Sequence, residues 1–407
     1  MLIIPITKIN ITMASERIAS IDIMRGLTIL LMLFVNDLNM DVVPAWLGHT
    51  VAGHDGMGLA DWVFPGFLFI AGMSVPFAFS KRTAMGLTSA DNSRHILTRS
   101  VSLLIIGILM LNTGRVNPEL TGIGKNLWAL LMYIAVLLIW NNYPDKEQKI
   151  YRNTGFRLAG IGLLILLVFR FRSGLPENDG SLIAGWWGIL GQIGWGYMAA
   201  AFVYLIFRDS LLKTITATLF FLALNILSAA QLTGFMDPIR PFLGVVLDGS
   251  VPFLVLCGVT AGVMMKNAGK VGQWYLIRDF VIAAVVLLAA GFFLRRWFII
   301  SKLQATPSWG LICSGISLSV FIIVYLVTDI YNRTRWAAFF RPAGENPLTT
   351  YIFPSIIYHL IQISGIQLLY YKQSELSLVV IAGSMVWTVL MVWIVALLKR
   401  AGISLKL

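Results

Sequence analysis

Residues 36–65 read NDLNMDVVPAWLGHTVAGHDGMGLADWVFP and lie between two long apolar segments. The stretch contains two of the chain's four histidines, a run of short polar residues and several glycines. A polar, glycine-rich loop between two apolar spans brings side-chain chemistry to the boundary of a lipid bilayer. The sequence therefore predicts a helical membrane protein in which this loop is the candidate functional site.

The composition supports the membrane class. Of the 407 residues, 58% are hydrophobic and 12% are charged, whereas a soluble domain has about 25% charged residues. Apolar runs long enough to span a bilayer occur near residues 20–38, 61–80, 95–112, 125–142, 156–173, 185–207, 211–231, 250–266, 278–298, 309–331, 346–365 and 376–398. Two runs, 125–142 and 250–266, are short, and Pro354 interrupts another. We therefore predict an all-α polytopic membrane protein with 10–12 transmembrane helices.

The basic residues predict the orientation. The net charge is +12, and most of the 31 lysines and arginines fall in the termini and in the loops that lie inside if the N-terminus is inside. That distribution follows the positive-inside rule and explains the charge without nucleic acid. We expect both termini in the cytoplasm, residues 1–19 as a cytoplasmic N-terminal segment, residues 20–407 as a single transmembrane domain, and residues 39–60 outside.

The loop contains several candidate catalytic residues. An imidazole can accept a proton from an attacking amine or hydroxyl, or attack a thioester itself, and chemistry alone does not separate His49 from His54. An exposed loop histidine without a catalytic role is the plain alternative for both. Asn36 could donate its amide to an oxyanion or simply end the first helix. Asp61 suits the N-cap of the second span, and it could also orient an imidazole.

Two further groups lie at the other end of the predicted bundle. Asp22 and Arg25 are three residues apart on the first helix. They could form a local ion pair that lets the arginine reach the membrane surface, or Arg25 could bind a phosphate. Asn346 opens the eleventh span and could cap it or line an entrance. The sequence has no metal-ligand spacing, and both cysteines lie in apolar runs, so neither a zinc site nor a disulfide is predicted.

The candidate residues near the start of the chain lie in four short segments. RIASIDIMRG occupies residues 17–26, FVN follows at 34–36, His49 comes next, and LADWVFPGFLFIAG occupies 59–72. Their order and spacing resemble the opening of the heparan-α-glucosaminide N-acetyltransferase family, in particular its short bacterial members. Weaker similarity lies at residues 188–194 and 344–347.

The resemblance implies a transmembrane acyltransferase. Such an enzyme takes an acetyl group from cytoplasmic acetyl-CoA and passes it to an acceptor, an amino sugar or another glycan, on the far side. Asn36 and His49 match the family's catalytic asparagine and histidine, whereas His54 lies in a loop that is two residues longer than in the lysosomal enzyme. Asp61 is the third candidate catalytic residue. The candidate contacts to acetyl-CoA are Arg25, Asp22 and Asn346, and no metal is implied.

The implied location is the bacterial inner membrane, in contact with membrane lipids, and a homodimer is left open. Two other classes of protein fit the span count. A transporter of a polar solute or sugar derivative also combines many spans with a few intramembrane polar groups. A non-catalytic assembly protein for envelope polysaccharide would tolerate the loss of His49. The concentration of polar residues in residues 1–65 favours the acyltransferase.

Overall fold

The computed structural model describes residues 18–143, 150–269 and 272–407. These ranges are helical and contain no β-strand, only an isolated bridge between Asn141 and Leu405. Residues 1–17, most of the predicted cytoplasmic segment, lie outside the described residues. So do the basic residues Lys146, Lys149 and Lys270, which contributed to the predicted orientation.

The apolar runs fold into helices close to the predicted positions. The helices are α1 (Ala19–Asp37), α2 (Leu59–Ala84), α3 (Ser89–Asn112), α4 (Pro118–Thr121), α5 (Lys125–Trp140), α6 (Ile150–Arg170), α7 (Gly188–Phe207), α8 (Leu211–Ala229), α9 (Arg240–Leu247), α10 (Ser250–Ala268), α11 (Gln273–Leu294), α12 (Pro307–Tyr325), α13 (Arg341–Glu345), α14 (Pro347–Ser364) and α15 (Ser377–Arg400). The connections contain a π-helical turn, Leu326–Ile330, and 3₁₀ turns at Thr113–Arg115, Glu177–Gly180, Gly234–Ile239, Arg335–Ala337 and Tyr370–Gln373.

One end of the bundle is formed by alternate loops of the chain. We call it the His49 face; its loops are residues 38–58, 113–124, 171–187, 230–249, 295–306 and 365–376. The Asn39 amide donates to the carbonyl oxygen of Lys372 at 3.1 Å, and Arg295 pairs with Asp55 at 2.7 Å. These bonds join loops that are far apart in sequence, so the helices between them must cross the bundle an even number of times.

The opposite end, the C-terminal face, is formed by the remaining loops and the chain end: residues 85–88, 141–143, 208–210, 331–346 and 401–407. The Ser404 N–H donates to Asn141 Oδ1 at 2.9 Å, and the Ser404 hydroxyl donates to Asn346 Oδ1 at 2.6 Å. Lys266 pairs with Asp209 at 2.6 Å on this face. A Cβ added to Gly344 would lie 2.5 Å from the carbonyl oxygen of Asp22, so the described start of α1 lies at the same end of the bundle as these residues.

These two faces bear on the number of crossings. Ten helices in the described residues are long and apolar enough to span a membrane, which confirms the predicted polytopic all-α class. Helix α5 has only 16 residues, and α14 contains Pro354. Both nevertheless run between the faces, since α5 ends beside Asn141 and α14 begins beside Asn346 on the C-terminal face. The bundle therefore has twelve helices that connect its two faces within the described ranges.

The centre of the bundle is built on close helix contacts through small residues. A Cβ added to Gly72 of α2 would lie 1.9 Å from the carbonyl oxygen of Val255 in α10, and one on Gly258 would lie 1.9 Å from that of Phe69. Only glycine permits such an approach, as in many membrane helix pairs. Outer helices such as α6 and α11 instead expose large apolar side chains, among them Phe169 and Val285, which suits contact with lipid tails.

Glycines also hold α13 against the start of α1. A Cβ on Gly26 would lie 2.3 Å from the carbonyl oxygen of Phe340, and one on Gly344 would lie 2.5 Å from that of Asp22. The glycine that follows Arg25 is therefore needed for packing. The same contact brings residues 344–347 beside Asp22, although more than three hundred residues separate them in sequence.

Candidate functional site

The site is built around the first turn of α2. This helix begins at Leu59, so the predicted N-cap position of Asp61 is wrong and Asp61 is the third helical residue. Its Oδ2 accepts a hydrogen bond from the Gly58 N–H at 3.1 Å, as the carboxylate of a capping box does. Asp61 therefore still stabilises the helix start, because its carboxylate binds a backbone N–H that would otherwise have no partner in the helix.

The carboxylate of Asp61 also binds the loop that carries His49. The Thr50 N–H and hydroxyl both donate to Oδ2 at 3.0 Å, and Oδ1 lies 2.7 Å from His49 Nδ1. Because an ionised carboxylate can only accept, we infer that Nδ1 carries the proton and that Nε2 has the free lone pair. Asp61 is 1% exposed, whereas the His49 side chain is 40% exposed. The structure thus joins an oriented imidazole to a buried acid and leaves part of the ring open to the His49 face.

A lysine from a distant loop completes this cluster. Lys302 Nζ donates to the Ala60 carbonyl oxygen at 3.1 Å and lies 3.4 Å from His49 Nδ1 and 4.0 Å from Asp61 Oδ1. Burial lowers the pKa of Lys302, and the negative charge of Asp61 opposes that shift. The ammonium group partly balances the negative charge of the buried carboxylate.

Two tryptophans fix the first turn of α2 to α12. The Trp309 indole N–H donates to the Asp61 carbonyl oxygen at 3.2 Å, and the Trp62 indole donates to Ser317 Oγ at 3.1 Å. All four residues are buried. The position of Asp61 is therefore set by rigid helix packing rather than by the loop alone.

The second carboxylate of the loop anchors it at a different place. Asp55 accepts from the Ile300 N–H at 2.8 Å and from Arg295 at 2.7 Å. Both hydrogen bonds lower the pKa of Asp55, and the bond from the Ile300 N–H has the larger effect. His54 is exposed beside it and makes no side-chain hydrogen bond among the described residues. Of the two histidines, only His49 is joined to a buried acid.

Asn36 lies on the same face but in a separate cavity. The cavity has a volume of about 160 Å³, and its lining includes Leu33, Asn36, Asp37, Tyr351, Ser355, Tyr358 and Trp387. Leu33, Asn36 and Asp37 share one side of α1, as residues spaced by three and four do. No hydrogen bond connects Asn36 with His49 in the described part of the chain, and His49 is not among the residues that line the cavity.

The residues predicted to contact acetyl-CoA lie at the C-terminal face. Arg25 Nη1 donates to Asp22 Oδ1 at 3.2 Å, which is the predicted local pair. Asn346 is buried and receives a hydrogen bond from Ser404 at 2.6 Å. Its segment contacts the start of α1 through Gly344 and Asp22. The three residues therefore share one region. Within α1, Arg25 lies about 16 Å from Asn36 along the helix axis, at 1.5 Å per residue.

Several residues of the His49 cluster were not singled out from the sequence. Thr50 follows His49 directly, and that adjacency could have indicated it. Lys302 and Trp309 lie more than two hundred residues away, and no local pattern connects them with the loop. In the described ranges, no group of three or more His, Cys, Asp or Glu side chains is placed to hold a metal ion. What the cluster can do chemically is remove a proton from an amine or hydroxyl, or attack an acyl carbon through Nε2.

Comparison with known proteins adds two similarities. The mouse enzyme heparan-alpha-glucosaminide N-acetyltransferase is 28% identical over 141 residues, which cover 32% of this chain and 21% of the mouse enzyme. The matched region is thus about a fifth of that relative's length, and it indicates a distant relationship. A family model described as "Domain of unknown function (DUF5009)" matches residues 17–231, which is more than half of the chain and includes both α1 and the Asp61–His49 pair. This chain is a member of the DUF5009 family.

Proposed function

We propose that this protein is a transmembrane acyltransferase that moves an acetyl group from acetyl-CoA to an acceptor at the His49 face. The observation that carries the proposal is the buried Asp61 carboxylate bound to a half-exposed His49 imidazole. Support also comes from the similarity to a mouse N-acetyltransferase. The acceptor class that follows from this relative is an amino sugar or another glycan.

In this mechanism His49 acts on the acceptor. Nε2 removes a proton from the acceptor amine as its nitrogen attacks the thioester carbon. A C–N bond forms, the C–S bond breaks, and the CoA thiolate leaves and takes up a proton. Asp61 holds the tautomer that this step needs and stabilises the imidazolium that forms. The same nitrogen could instead attack the thioester first and form an acetyl-imidazole, which the amine then cleaves.

Asn36 and Arg25 are assigned to the donor. Asn36, at the outer end of α1, would donate its amide to the oxygen that becomes negative during transfer. Arg25, at the other end of the helix, would bind a CoA phosphate, for which a guanidinium is well shaped. Its pairing with Asp22 means that the phosphate must compete with a carboxylate. We place the C-terminal face in the cytoplasm, because most basic residues lie there and acetyl-CoA is cytoplasmic.

The test is a transfer assay on the purified full-length protein. Radiolabelled acetyl-CoA is supplied with a panel of amino sugars, and label in the sugar is measured. Transfer that depends on protein and acceptor supports the proposal. Uptake of a sugar into proteoliposomes without any acetyl transfer would contradict it and favour a transporter.

The orientation is tested with one cysteine in the loop before α2 and one directly after this helix. Val51 is 71% exposed on the His49 face and Met85 is 68% exposed on the C-terminal face. In sealed inside-out vesicles, we expect an impermeant maleimide to label Met85→Cys and not Val51→Cys. The native Cys257 and Cys313 are buried and give little background. The reverse pattern would place the acceptor site on the same side as cytoplasmic acetyl-CoA.

The role of Arg25 is tested by binding. Arg25→Ala should weaken acetyl-CoA affinity roughly 10- to 100-fold, since a hydrogen bond to a charged group contributes about 1.5–3 kcal/mol. Arg25→Lys should restore part of it, because an ammonium cannot form the paired contacts of a guanidinium. Isothermal titration calorimetry gives the affinity. Arg94→Ala, an exposed arginine on the same face, is the control. Unchanged binding in Arg25→Ala would leave Arg25 with a structural role beside Asp22.

A further inference from the structure

A second buried carboxylate, Asp37, follows Asn36 directly and lines the same cavity. Its side chain is 1% exposed. Lys372 Nζ lies 2.8 Å from Oδ1, the Tyr371 hydroxyl donates to Oδ2 at 2.7 Å, and the Tyr358 hydroxyl also donates to Oδ1. A buried carboxylate with this many partners is strongly fixed in position, because any movement would break charge-assisted hydrogen bonds.

The partners of Asp37 also bind one another. Lys372 Nζ donates to the Tyr358 hydroxyl at 3.1 Å and lies 4.4 Å from the centre of its ring. The Tyr358 ring stacks on Trp387 at 4.9 Å. Burial and the neighbouring Asp37 raise the pKa of Tyr371, so its hydroxyl stays protonated as a donor. The cluster therefore joins α1, α14, α15 and the turn at residues 370–373.

The location of the cluster relates it to Asn36. Asn36 and Asp37 are neighbours in the last turn of α1, and both line the cavity together with Tyr358 and Trp387. The Asn36 side chain has no hydrogen bond of its own among the described residues to hold it there. Its position is consequently set by the backbone of the turn that Asp37 anchors.

We propose that Asp37 is a positioning residue: through Lys372, Tyr358 and Tyr371 it holds the last turn of α1 so that Asn36 faces the cavity. This role rests on the proposed function, in which Asn36 donates to the oxyanion. Asp37 itself does not touch the reacting atoms. Displacement of a catalytic group by about 1 Å can cost roughly 10²-fold in rate, so loss of the anchor should appear mainly in turnover.

The experiment compares Asp37→Asn, Lys372→Met and the double variant in the full-length protein. In Asp37→Asn, we expect kcat to fall roughly 10²-fold while KM for acetyl-CoA changes little. The thermal midpoint should also fall, because the lysine loses its partner. In the double variant that lysine charge is removed, so the midpoint should recover while kcat stays low. Recovery of kcat together with the midpoint would show that the pair only stabilises the fold.

A control breaks an ion pair on the opposite face whose lysine is equally exposed, although its carboxylate, Asp209, is 42% exposed and Asp37 is 1% exposed. Asp209→Asn removes the partner of Lys266, whose side chain is 29% exposed, as is that of Lys372. We expect this variant to lose stability but to keep kcat. If Asp37→Asn proves too unstable to purify, Tyr371→Phe removes one anchor bond and leaves the ion pair; a lower kcat supports the proposal and an unchanged one opposes it.

A labelling measurement is independent of catalysis. Ser355 lines the cavity, and thiol reagents should modify Ser355→Cys faster when Asp37→Asn is also present. Equal labelling rates would overturn the anchoring role. If the wild-type protein transfers no acetyl group to any acceptor, the proposed function is wrong, and the labelling rates still decide whether Asp37 holds the cavity wall.

Discussion

We expect His49→Ala to lower acetyl transfer roughly 10²- to 10⁴-fold, the range that a positioned general base contributes. Acetyl-CoA affinity should change little, because the imidazole acts on the transition state and lies far from the CoA phosphates. The measurement is kcat with radiolabelled acetyl-CoA at saturating donor, alongside calorimetric binding. Added imidazole should restore part of the activity, which a purely structural role for His49 would not allow.

His54→Ala is the matched control for this prediction. Both histidines lie in one loop, but His54 is exposed and its ring makes no hydrogen bond to a buried acid among the described residues, so near wild-type turnover is expected. Loss of activity in His54→Ala with full activity in His49→Ala would move the site five residues along the loop. Full activity in both variants would remove histidine chemistry from this loop.

Asp61→Asn should be nearly as damaging as the loss of His49, while the protein stays folded. Three donors, the Thr50 N–H, the Thr50 hydroxyl and the Gly58 N–H, point at Oδ2. The asparagine carbonyl must therefore face those donors, and its NH₂ group then faces His49. The imidazole must accept from that group, so Nε2 becomes protonated and cannot act as a base. The corresponding change in a Ser-His-Asp triad lowers kcat about 10⁴-fold, and we expect a fall of the same kind here.

Asp61→Ala and Asp55→Asn separate catalysis from stability. Asp61→Ala leaves the three donors without their acceptor. Each buried donor that loses its partner costs about 1–3 kcal/mol of folding free energy, so the thermal midpoint of Asp61→Ala should fall well below that of Asp61→Asn. Asp55→Asn should weaken the contact between the loop of His49 and Arg295 and reduce stability with little effect on kcat. Equal activity in Asp61→Asn and wild type would mean that the hydrogen bond between Asp61 and His49 has no part in the reaction.

The order of the membrane helices could be predicted from the sequence because a span needs only a local run of apolar residues. Even the uncertain spans were identified by local signs, the short length of α5 and Pro354 in α14. The start of α2 was placed two residues late, since Asp61 suits both the N-cap and the third helical position. The pattern around His49 and Asp61 contained both members of the pair that the structure joins.

Contacts between distant helices could not be predicted in the same way. Apolar periodicity says which side of a helix is buried and does not name the neighbour, so Lys302, Lys372 and Tyr371 gave no signal. The sequence alone does not show which neighbours Gly26 and Gly344 contact. Only the fold shows that these two glycines let α1 and α13 pack closely against each other. The lining of the cavity at Asn36 comes from three separate helices, α1, α14 and α15, so no single stretch of sequence could indicate it.

The chain order of the His49 cluster has a consequence for membrane insertion. Asp61 and His49 leave the ribosome early, but Lys302 and Trp309 follow more than two hundred residues later. Until α12 is inserted, the buried carboxylate of α2 lacks its nearby cation, and the first turn lacks the indole that holds it. The first turn of α2 therefore stays incompletely packed until residues 302–309 have been made and inserted.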